Sequence, residues 1–408
     1  MYNLSGRNIV LGVTGSIAAY KAADLASKLT QAGCEVDAIM TEEATEFVSP
    51  LTFQSVTGRP AYSNMWDAAS HVAEAHVAIA RRADLLVVAP ATATSVARIA
   101  LGLAEDMVSL TALATKAPIV ICPAMDPHMY ENAAVQGHVE TLKSRGVHFV
   151  GPEEGRLASG QMGIGRLSEV ESIMGAIRYV LGLTGDLAGK KVVVTAGGTR
   201  EQIDPVRYVG NYSSGKMGFA IAEAARDRGA EPVLVTAPVD LRDPYAVRVV
   251  RVKTALEMRD AVVAECADAQ ALVMAAAVAD YQPAEPVGEK IKRQGRDSLA
   301  ISLVRTPDIL KELGDADGLV KVGFAAESHD VIENARVKVA DKGLDLIAAN
   351  DITQDGSGFG TDTNRVTLID REGAEEELPI LSKYDVSCRI LDRVAALVHT
   401  RQRQEASD

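Results

Sequence analysis

Two short apolar runs, Asn8 to Val13 and Val192 to Thr195, each lead into a glycine-bearing turn and then into a helical pattern. A strand that is apolar at successive rather than alternate positions must be covered on both faces, and a chain that turns straight into a helix supplies one of the covers. After the first run the alternation continues with a helix over Ala18 to Ala32 and strands at Glu35 to Met40, Leu85 to Ala89 and Ile119 to Cys122. After the second come a helix near Phe219 to Arg228 and strands at Pro232 to Thr236, Leu272 to Ala275 and Asp345 to Ala348. The pattern predicts an α/β protein of two doubly wound, Rossmann-like domains, each a parallel sheet between helices.

The boundary falls where the helical pattern of Ser168 to Leu181 stops in a glycine-rich stretch, giving domains over 1–183 and 191–408 and a linker over 184–190. A chain of 408 residues has room for two cores at roughly 100–200 residues each. The two glycine turns differ in length and chemistry, so the halves are not copies of one another. Thr361 to Asp370 reads as a hairpin arm, and the polar tail after His399 is expected to fray.

A net charge of -13 repels nucleic acid overall, although a basic pocket for a small phosphorylated ligand can exist within it. Cys34, Cys122, Cys266 and Cys388 form no C-x-x-C pair and no zinc-ligand spacing, which fits reduced thiols in the cytosol. No apolar stretch of about 20 residues suggests a membrane span. The expectation is a cytoplasmic protein that binds neither nucleic acid nor membrane.

The first turn, Gly12 to Ala18, lacks the G-x-G-x-x-G spacing that seats a dinucleotide pyrophosphate, so a single phosphate is the better fit, held by Ser16 and the free N–H groups of the next helix. Alone, such a turn serves equally as a plain connection. His76 alone reads as a helix-surface or interface histidine; His71, five residues away at about 100° per residue, falls on another face and forms no metal pair with it. Three segments taken together change the weighting: His76 to Ala80, Ala89-Pro90-Ala91-Thr92-Ala93-Thr94-Ser95, and Pro123 to Met129.

These segments resemble the flavin-containing cysteine decarboxylase family. The resemblance implies a flavodoxin-like flavoprotein domain with His76 catalytic, and FMN contacts from Gly15, Ser16, Ile17, Thr41, Phe47, Pro90, Ala91, Thr92, Thr94 and Ser95. It implies substrate contacts from Met125, Asp126, Met129, Arg156 and Gly165. An acylated cysteine has no electron sink for its departing carboxylate, and a flavin provides one by oxidising the Cβ–S bond. His76 is the acid–base candidate, its ordinary pKa lying near neutrality. Two positions depart from the family. Asp126 stands where asparagine is commonest, and its carboxylate would repel a substrate carboxylate unless it is protonated or the contact runs through backbone. Ser159, within the Gly155 to Arg166 clamp, stands where many relatives carry a cysteine proton donor; a hydroxyl is a far weaker acid, so Ser159 would position a water or another donor.

In the second half, Thr195 to Tyr208 leads into Asn211-Tyr212-Ser213-Ser214-Gly215-Lys216-Met217-Gly218. Gly210 to Lys216 fits G-x-x-x-x-G-K, but Met217 replaces the Ser or Thr that would hold magnesium in a P-loop. A serine-rich N-cap for a helix starting near Met217 is the plainer reading, and capping and phosphate binding can share one helix start. Downstream stand Ala275 to Tyr281, Glu289-Lys290-Ile291-Lys292-Arg293, Val322 to Glu327, Lys338, Lys342 and Asn350 to Ile352; a lysine-rich loop by itself is usually a solvated surface.

The whole set resembles phosphopantothenate-cysteine ligases. The resemblance implies CTP contacts from Gly197, Gly198, Thr199, Ser213, Ser214, Gly215, Lys216, Met274, Ala275, Ala276, Asp280 and Lys290, and from Pro307, Asp308, Ile309, Leu310, Phe324, Lys338 and Lys342. Asn211 and Lys290 are its catalytic candidates, and Asp280 its magnesium candidate. With both halves in the order decarboxylase then ligase, the chain resembles the bacterial bifunctional enzymes of coenzyme A synthesis. Implied are 4'-phosphopantothenate, cysteine and CTP as substrates, FMN and Mg2+ as cofactors, an acyl-cytidylate intermediate, and a homo-oligomer of decarboxylase trimers and ligase dimers. A non-catalytic flavin-binding regulator is the alternative, opposed by His76 and the complete ligase half. An NAD-dependent dehydrogenase is opposed by the missing G-x-G-x-x-G.

Overall fold

The computed structural model describes residues 4–65, 75–157, 160–292, 299–314, 318–327, 329–351 and 360–405. The chain divides into two compact units, 1–182 and 183–408. The first runs β1 (Asn8–Val13), α1 (Ala19–Gln31), β2 (Glu35–Met40), α2 (Glu42–Thr45), α3 (Pro50–Thr57), β3 (Ala61–Tyr62), α4 (Ala75–Arg82) and β4 (Leu85–Ala91). It continues through α5 (Ala93–Leu101), α6 (Met107–Ala114), β5 (Ile119–Pro123), α7 (Pro127–Tyr130), α8 (Ala133–Ser144), β6 (His148–Phe149), β7 (Glu153–Arg156), β8 (Met162–Arg166) and α9 (Val170–Gly182).

Six parallel strands order as β3-β2-β1-β4-β5-β6, so the chain reverses direction across the sheet between β1 and β4. Ile9, Val10 and Leu11 of β1 and Leu85 to Val88 of β4 are fully buried, as continuous apolar runs require. Local chemistry fixes the helix ends: the Thr92 hydroxyl accepts from Ser95 N to start α5, Gly102 closes it in the left-handed conformation, and Asp106 and Ser109 form a capping box on α6.

The second unit runs β9 (Lys191–Ala196), β10 (Arg200–Gln202), β11 (Tyr208–Gly210), α10 (Lys216–Arg226), β12 (Glu231–Thr236), β13 (Arg248–Arg251), α11 (Ala255–Cys266), β14 (Ala271–Met274) and β15 (Tyr281–Pro283). Then come β16 (Leu303–Arg305), α12 (Ile309–Glu312), β17 (Val320–Glu327), α13 (Val331–Lys342), β18 (Leu346–Asp351), β19 (Thr363–Asn364), β20 (Val366–Asp370), β21 (Glu375–Glu377), β22 (Leu381–Ser382) and α14 (Lys383–Glu405). The sheet orders as β13-β12-β9-β14-β17-β18-β20-β21, with the last two strands antiparallel. Successive β9 residues feed two cores: Val192 and Val194 pack with α10 and α14, Val193 with residues of α11 and α13. The reversal here lies between β9 and β14.

Three local expectations change. Helix α10 is capped by Gly215 in the left-handed conformation with no side-chain cap, the Ser213 and Ser214 hydroxyls accepting only from Gly215 N and Lys216 N at 3.3 and 3.5 Å. The 361–370 segment is no free arm, because β20 continues the main sheet beside β18. The tail does not fray at His399: α14 persists to Glu405, pinned by Arg401 to Asp345 at 2.6 Å and by His399 Nε2, 2.9 Å from the Asp186 carbonyl. The stretch opening this unit is docked on it: Leu187 is fully buried, its N–H donates to the Arg228 carbonyl at 3.1 Å, and Asp186 pairs with the Arg228 guanidinium. Among the described residues no helix is long and apolar enough to cross a membrane.

Candidate functional site

Open α/β sheets bind ligands beyond the carboxyl ends of their strands where strand order reverses. In the first unit that place is organised by Thr14, fully buried just after β1. Its hydroxyl donates to the Pro90 carbonyl at 2.8 Å and accepts from Thr92 N at 3.0 Å, tying the end of β1 to the end of β4. Ser16 Oγ accepts from Ala18 N at 3.3 Å, and α1 starts with no side-chain cap, although Ala19 N and Lys21 N already donate to the Ser16 and Ala18 carbonyls at 2.9 and 3.0 Å. Thr41, buried beyond β2, caps α2. Pro90 and Ala91 are themselves buried, the Ala91 carbonyl accepting from Ala124 N; Thr94 and Phe47 are exposed.

A cavity of about 560 Å³ opens beside this edge, walled by Ser16, Ile17 and Tyr20 and, across from them, by Met125, Asp126 and Arg156. The hairpin β7–β8 closes its far side, with Gly165 against the 124–127 turn. Met125 N donates to the Gly165 carbonyl at 3.0 Å, and a Cβ at Gly165 would lie 2.1 Å from the Met125 carbonyl oxygen, so only glycine fits. Asp126 caps the four-residue α7, its Oδ1 accepting from His128 N at 2.9 Å. Lys21 and Arg166, not singled out in the sequence, also line this cavity, and both pair with Glu169. Met129 is half exposed and off the wall, and Ser159 lies outside the described residues. His76 occupies the first turn of α4, half-buried and off the wall; α4 is anchored at its other end by Arg82 to the buried Asp37 at 2.6 Å.

The second cavity, about 950 Å³, lies at the β9/β14 reversal. On its wall stand Asn211, Ser213 to Lys216, Met274 to Ala276, Asp280, Pro307 to Leu310, Phe324, Lys338 and Lys342. Asn211 Nδ2 donates to the Val278 carbonyl at 3.1 Å, and Lys342 faces Asp308 at 3.4 Å. Gly197, Gly198 and Thr199 are behind the wall, where their work is packing: a Cβ at Gly198 would lie 2.5 Å from the Asn211 carbonyl oxygen, and Thr199 Oγ1 accepts from Ala279 N at 2.9 Å. Lys290 is exposed and off the wall; its loop is tied to the β10–β11 hairpin by Ile291 N to Asp204 Oδ2 at 3.2 Å and Val287 N to the Ile203 carbonyl. Asn364 and Lys383 line the cavity unforeseen, having arrived from the far end of the chain without any local motif.

Fold and sites together define a bipartite protein, a flavoprotein-type unit followed by an α/β unit with a polar, cation-lined cavity. The flavoprotein family profile matches residues 1–182, and that of the DNA/pantothenate metabolism flavoprotein C-terminal domain matches 187–398. The coenzyme A biosynthesis bifunctional protein CoaBC of Bacillus subtilis (strain 168) is 46% identical over 398 residues, covering 97% of this chain and 98% of that protein. The protein of the same name from Escherichia coli (strain K12) is 43% identical over 407 residues, covering 98% and 100%. A crystal structure of the C-terminal domain of a CoaBC protein is 39% identical, covering 53% of this chain and 99% of that one, with a TM-score of 0.46. The chain belongs to the family of bifunctional coenzyme A biosynthesis proteins.

Proposed function

We propose that this bifunctional enzyme of coenzyme A biosynthesis runs two successive reactions, one in the cavity of each unit. The second joins cysteine to 4'-phosphopantothenate with CTP, and the first decarboxylates the product to 4'-phosphopantetheine with FMN. The observation that carries the reading is the second cavity, where the α10 start without a side-chain cap, Lys216, Lys338, Lys342 and Asp280 share one wall.

A carboxylate accepts an amine only after its oxygen becomes part of a leaving group. The phosphopantothenate carboxylate attacks the α-phosphorus of CTP, and the bond to the bridging oxygen breaks with pyrophosphate carrying the electron pair. The cysteine amine then attacks the acyl carbon, CMP departs and the amine gives up a proton. Asn211, steadied on the Val278 carbonyl, holds the intermediate for attack, and the cavity lysines offset phosphate charge. Among the described residues no three His, Cys, Asp or Glu side chains converge on a metal site. Magnesium suits such a wall when phosphates and water supply most of its ligands, with Asp280 the carboxylate at hand.

In the first unit Ile17 and Tyr20, 60% and 63% exposed, offer apolar surface to a planar ring, and the start of α1 suits a single phosphate, so these residues fit FMN. The bound flavin supplies the two-electron acceptor that loss of carbon dioxide requires. Arg156 and the backbone of the 124–127 turn orient the substrate, while Asp126, engaged as a cap, does not meet its carboxylate directly. His76 moves the proton. His76 and Lys290 each stand off the cavity of their own unit, which suits assembly into decarboxylase trimers and ligase dimers. Tyr208, Leu303 and Val304, exposed on the hairpins near Lys290, are apolar surface for a second copy to cover. The four buried cysteines, unbridged, suit the cytoplasm.

Incubation with 4'-phosphopantothenate, cysteine, CTP and magnesium, followed by mass analysis, tests the reading. Phosphopantetheine, carbon dioxide, CMP and pyrophosphate are expected in equal amounts, and CTP left intact in the presence of all substrates would overturn it.

A further inference from the structure

Lys383 is the first residue of α14, and only 7% of it is exposed, although it lines the second cavity. Lysine is rarely buried, because an ammonium group removed from water must recover its hydration through hydrogen bonds or counter-charge. Its Nζ donates to the Thr361 carbonyl and lies 3.3 Å from Thr361 Oγ1 and 3.4 Å from the Thr363 carbonyl. Lys216, on the same cavity wall, donates to the Gly360 carbonyl at 2.8 Å and to Asp362 Oδ1 at 2.7 Å. Residues 360–363 are thus clasped by two ammonium groups, and Asn364, the next residue, is also on the wall.

Among the described residues, the carboxylate beside these two lysines is Asp362. Burial pushes the Lys383 ammonium below the usual lysine range, Lys216 beside it pushes the same way, and Asp362 only opposes them. Asp362 itself is held below the usual carboxylate range by Lys216, but its side chain is 89% exposed and the larger part of its field reaches water. Elsewhere on the wall Lys311 faces Asp341 at 2.8 Å and Lys342 faces Asp308 at 3.4 Å. Lys216 and Lys383 thus bring two ammonium groups to one end of the cavity wall, where a polyanion of small cross-section would meet both.

We propose that Lys383, with Lys216, holds the β- and γ-phosphates of the nucleotide and the pyrophosphate released from them, and that Asp362 occupies Lys216 until they arrive. The proposal deepens, and rests on, the ligase reading above. In that role Lys383 keeps the leaving group charged and in place while the α-phosphorus is attacked, and Asp362 competes for the same ammonium.

The test titrates magnesium pyrophosphate into the full-length protein by calorimetry and measures ligase kinetics for Lys383→Gln, Lys383→Arg and Asp362→Asn. Losing a charge-assisted hydrogen bond corresponds to roughly a tenfold effect or more. Lys383→Gln should weaken pyrophosphate binding and raise KM for CTP by about that factor, leaving KM for phosphopantothenate and cysteine and the decarboxylase rate unchanged. Lys383→Arg should restore most of the binding, and Asp362→Asn should tighten it. A rise in KM for phosphopantothenate instead of CTP would overturn the proposal by assigning this end to the other phosphate. So would a fall in kcat and melting temperature with pyrophosphate affinity unchanged, which marks a purely structural clasp. If Lys383→Gln does not fold, unchanged pyrophosphate affinity in Asp362→Asn overturns it on its own. Lys383-dependent pyrophosphate binding in a protein that consumes no phosphopantothenate would sink the ligase reading and leave the anion site standing.

Discussion

The two cavities occupy the same place on two sheets of the same parallel strand order, yet they suit different chemistry. The first is built from an uncapped helix start with apolar neighbours, Ile17 and Tyr20, and two of its four ionic residues, Lys21 and Arg166, are paired with Glu169. The second gathers lysines from four helices, α10, α12, α13 and α14, around an equally uncapped start. The sheet decides where a ligand goes, and the side chains entering from the connections decide which one. The cavities also differ in how much they gather: most candidate ligase residues, Lys290 excepted, reach one wall, whereas His76 and most of the candidate flavin contacts stay off the first cavity.

That contrast breaks most sharply at His76. His76→Asn should reduce carbon dioxide release by about a hundredfold or more while ligase turnover stays within about twofold, each assayed with its own substrate. Loss of both in a folded protein would mean that the units do not work independently. Next in size, Asn211→Asp should leave pyrophosphate release running while coupling to cysteine falls by roughly a hundredfold; equal loss of both steps would move Asn211 to plain nucleotide binding. Thr14→Val removes a buried hydroxyl that serves two backbone groups. It should destabilise the first unit by about 1–3 kcal/mol and loosen flavin retention, read by denaturant melts and the visible spectrum, without touching the ligase. Ser159→Ala should have the smallest effect, with decarboxylation within about twofold of the parent and Ser159→Cys equal or faster, because a hydroxyl with an ordinary pKa far above that of a thiol is a poor proton donor. Persistent flavin bleaching in stopped-flow spectra of the alanine variant would make Ser159 part of the proton path after all.

The strands were legible because burial on both faces leaves unbroken apolar runs, as in Val192 to Val194 and Leu85 to Val88. The ends of elements were less so. Ser213 and Ser214 have N-cap chemistry, but the turn places Gly215 at the cap, a matter of backbone geometry that composition does not express. The polar tail is held helical by an ion pair to Asp345 and a hydrogen bond to the Asp186 carbonyl, partners 56 and 213 residues away, which no local window contains. Lys383 and Asn364 reach the second cavity in the same way, through sheet order rather than motif. Gly197 to Thr199 marked the site correctly as a neighbourhood, but their contribution is close packing and not contact with the cavity.

The docked stretch at the start of the second unit sets where the polypeptide can be cut. Leu187 is buried to the last atom, Asp186 meets Arg228, and the Asp186 carbonyl receives His399 from the other end of the unit. A polypeptide beginning at Lys191 would lose all three, opening an apolar hole and withdrawing one carboxylate from a largely buried guanidinium. One beginning at Leu183 keeps them. Splitting the gene product into two separately made halves, or grafting either half onto another partner, therefore calls for a junction upstream of Leu183, with the glycines at 185 and 189 travelling with the downstream piece as structural residues and not as slack.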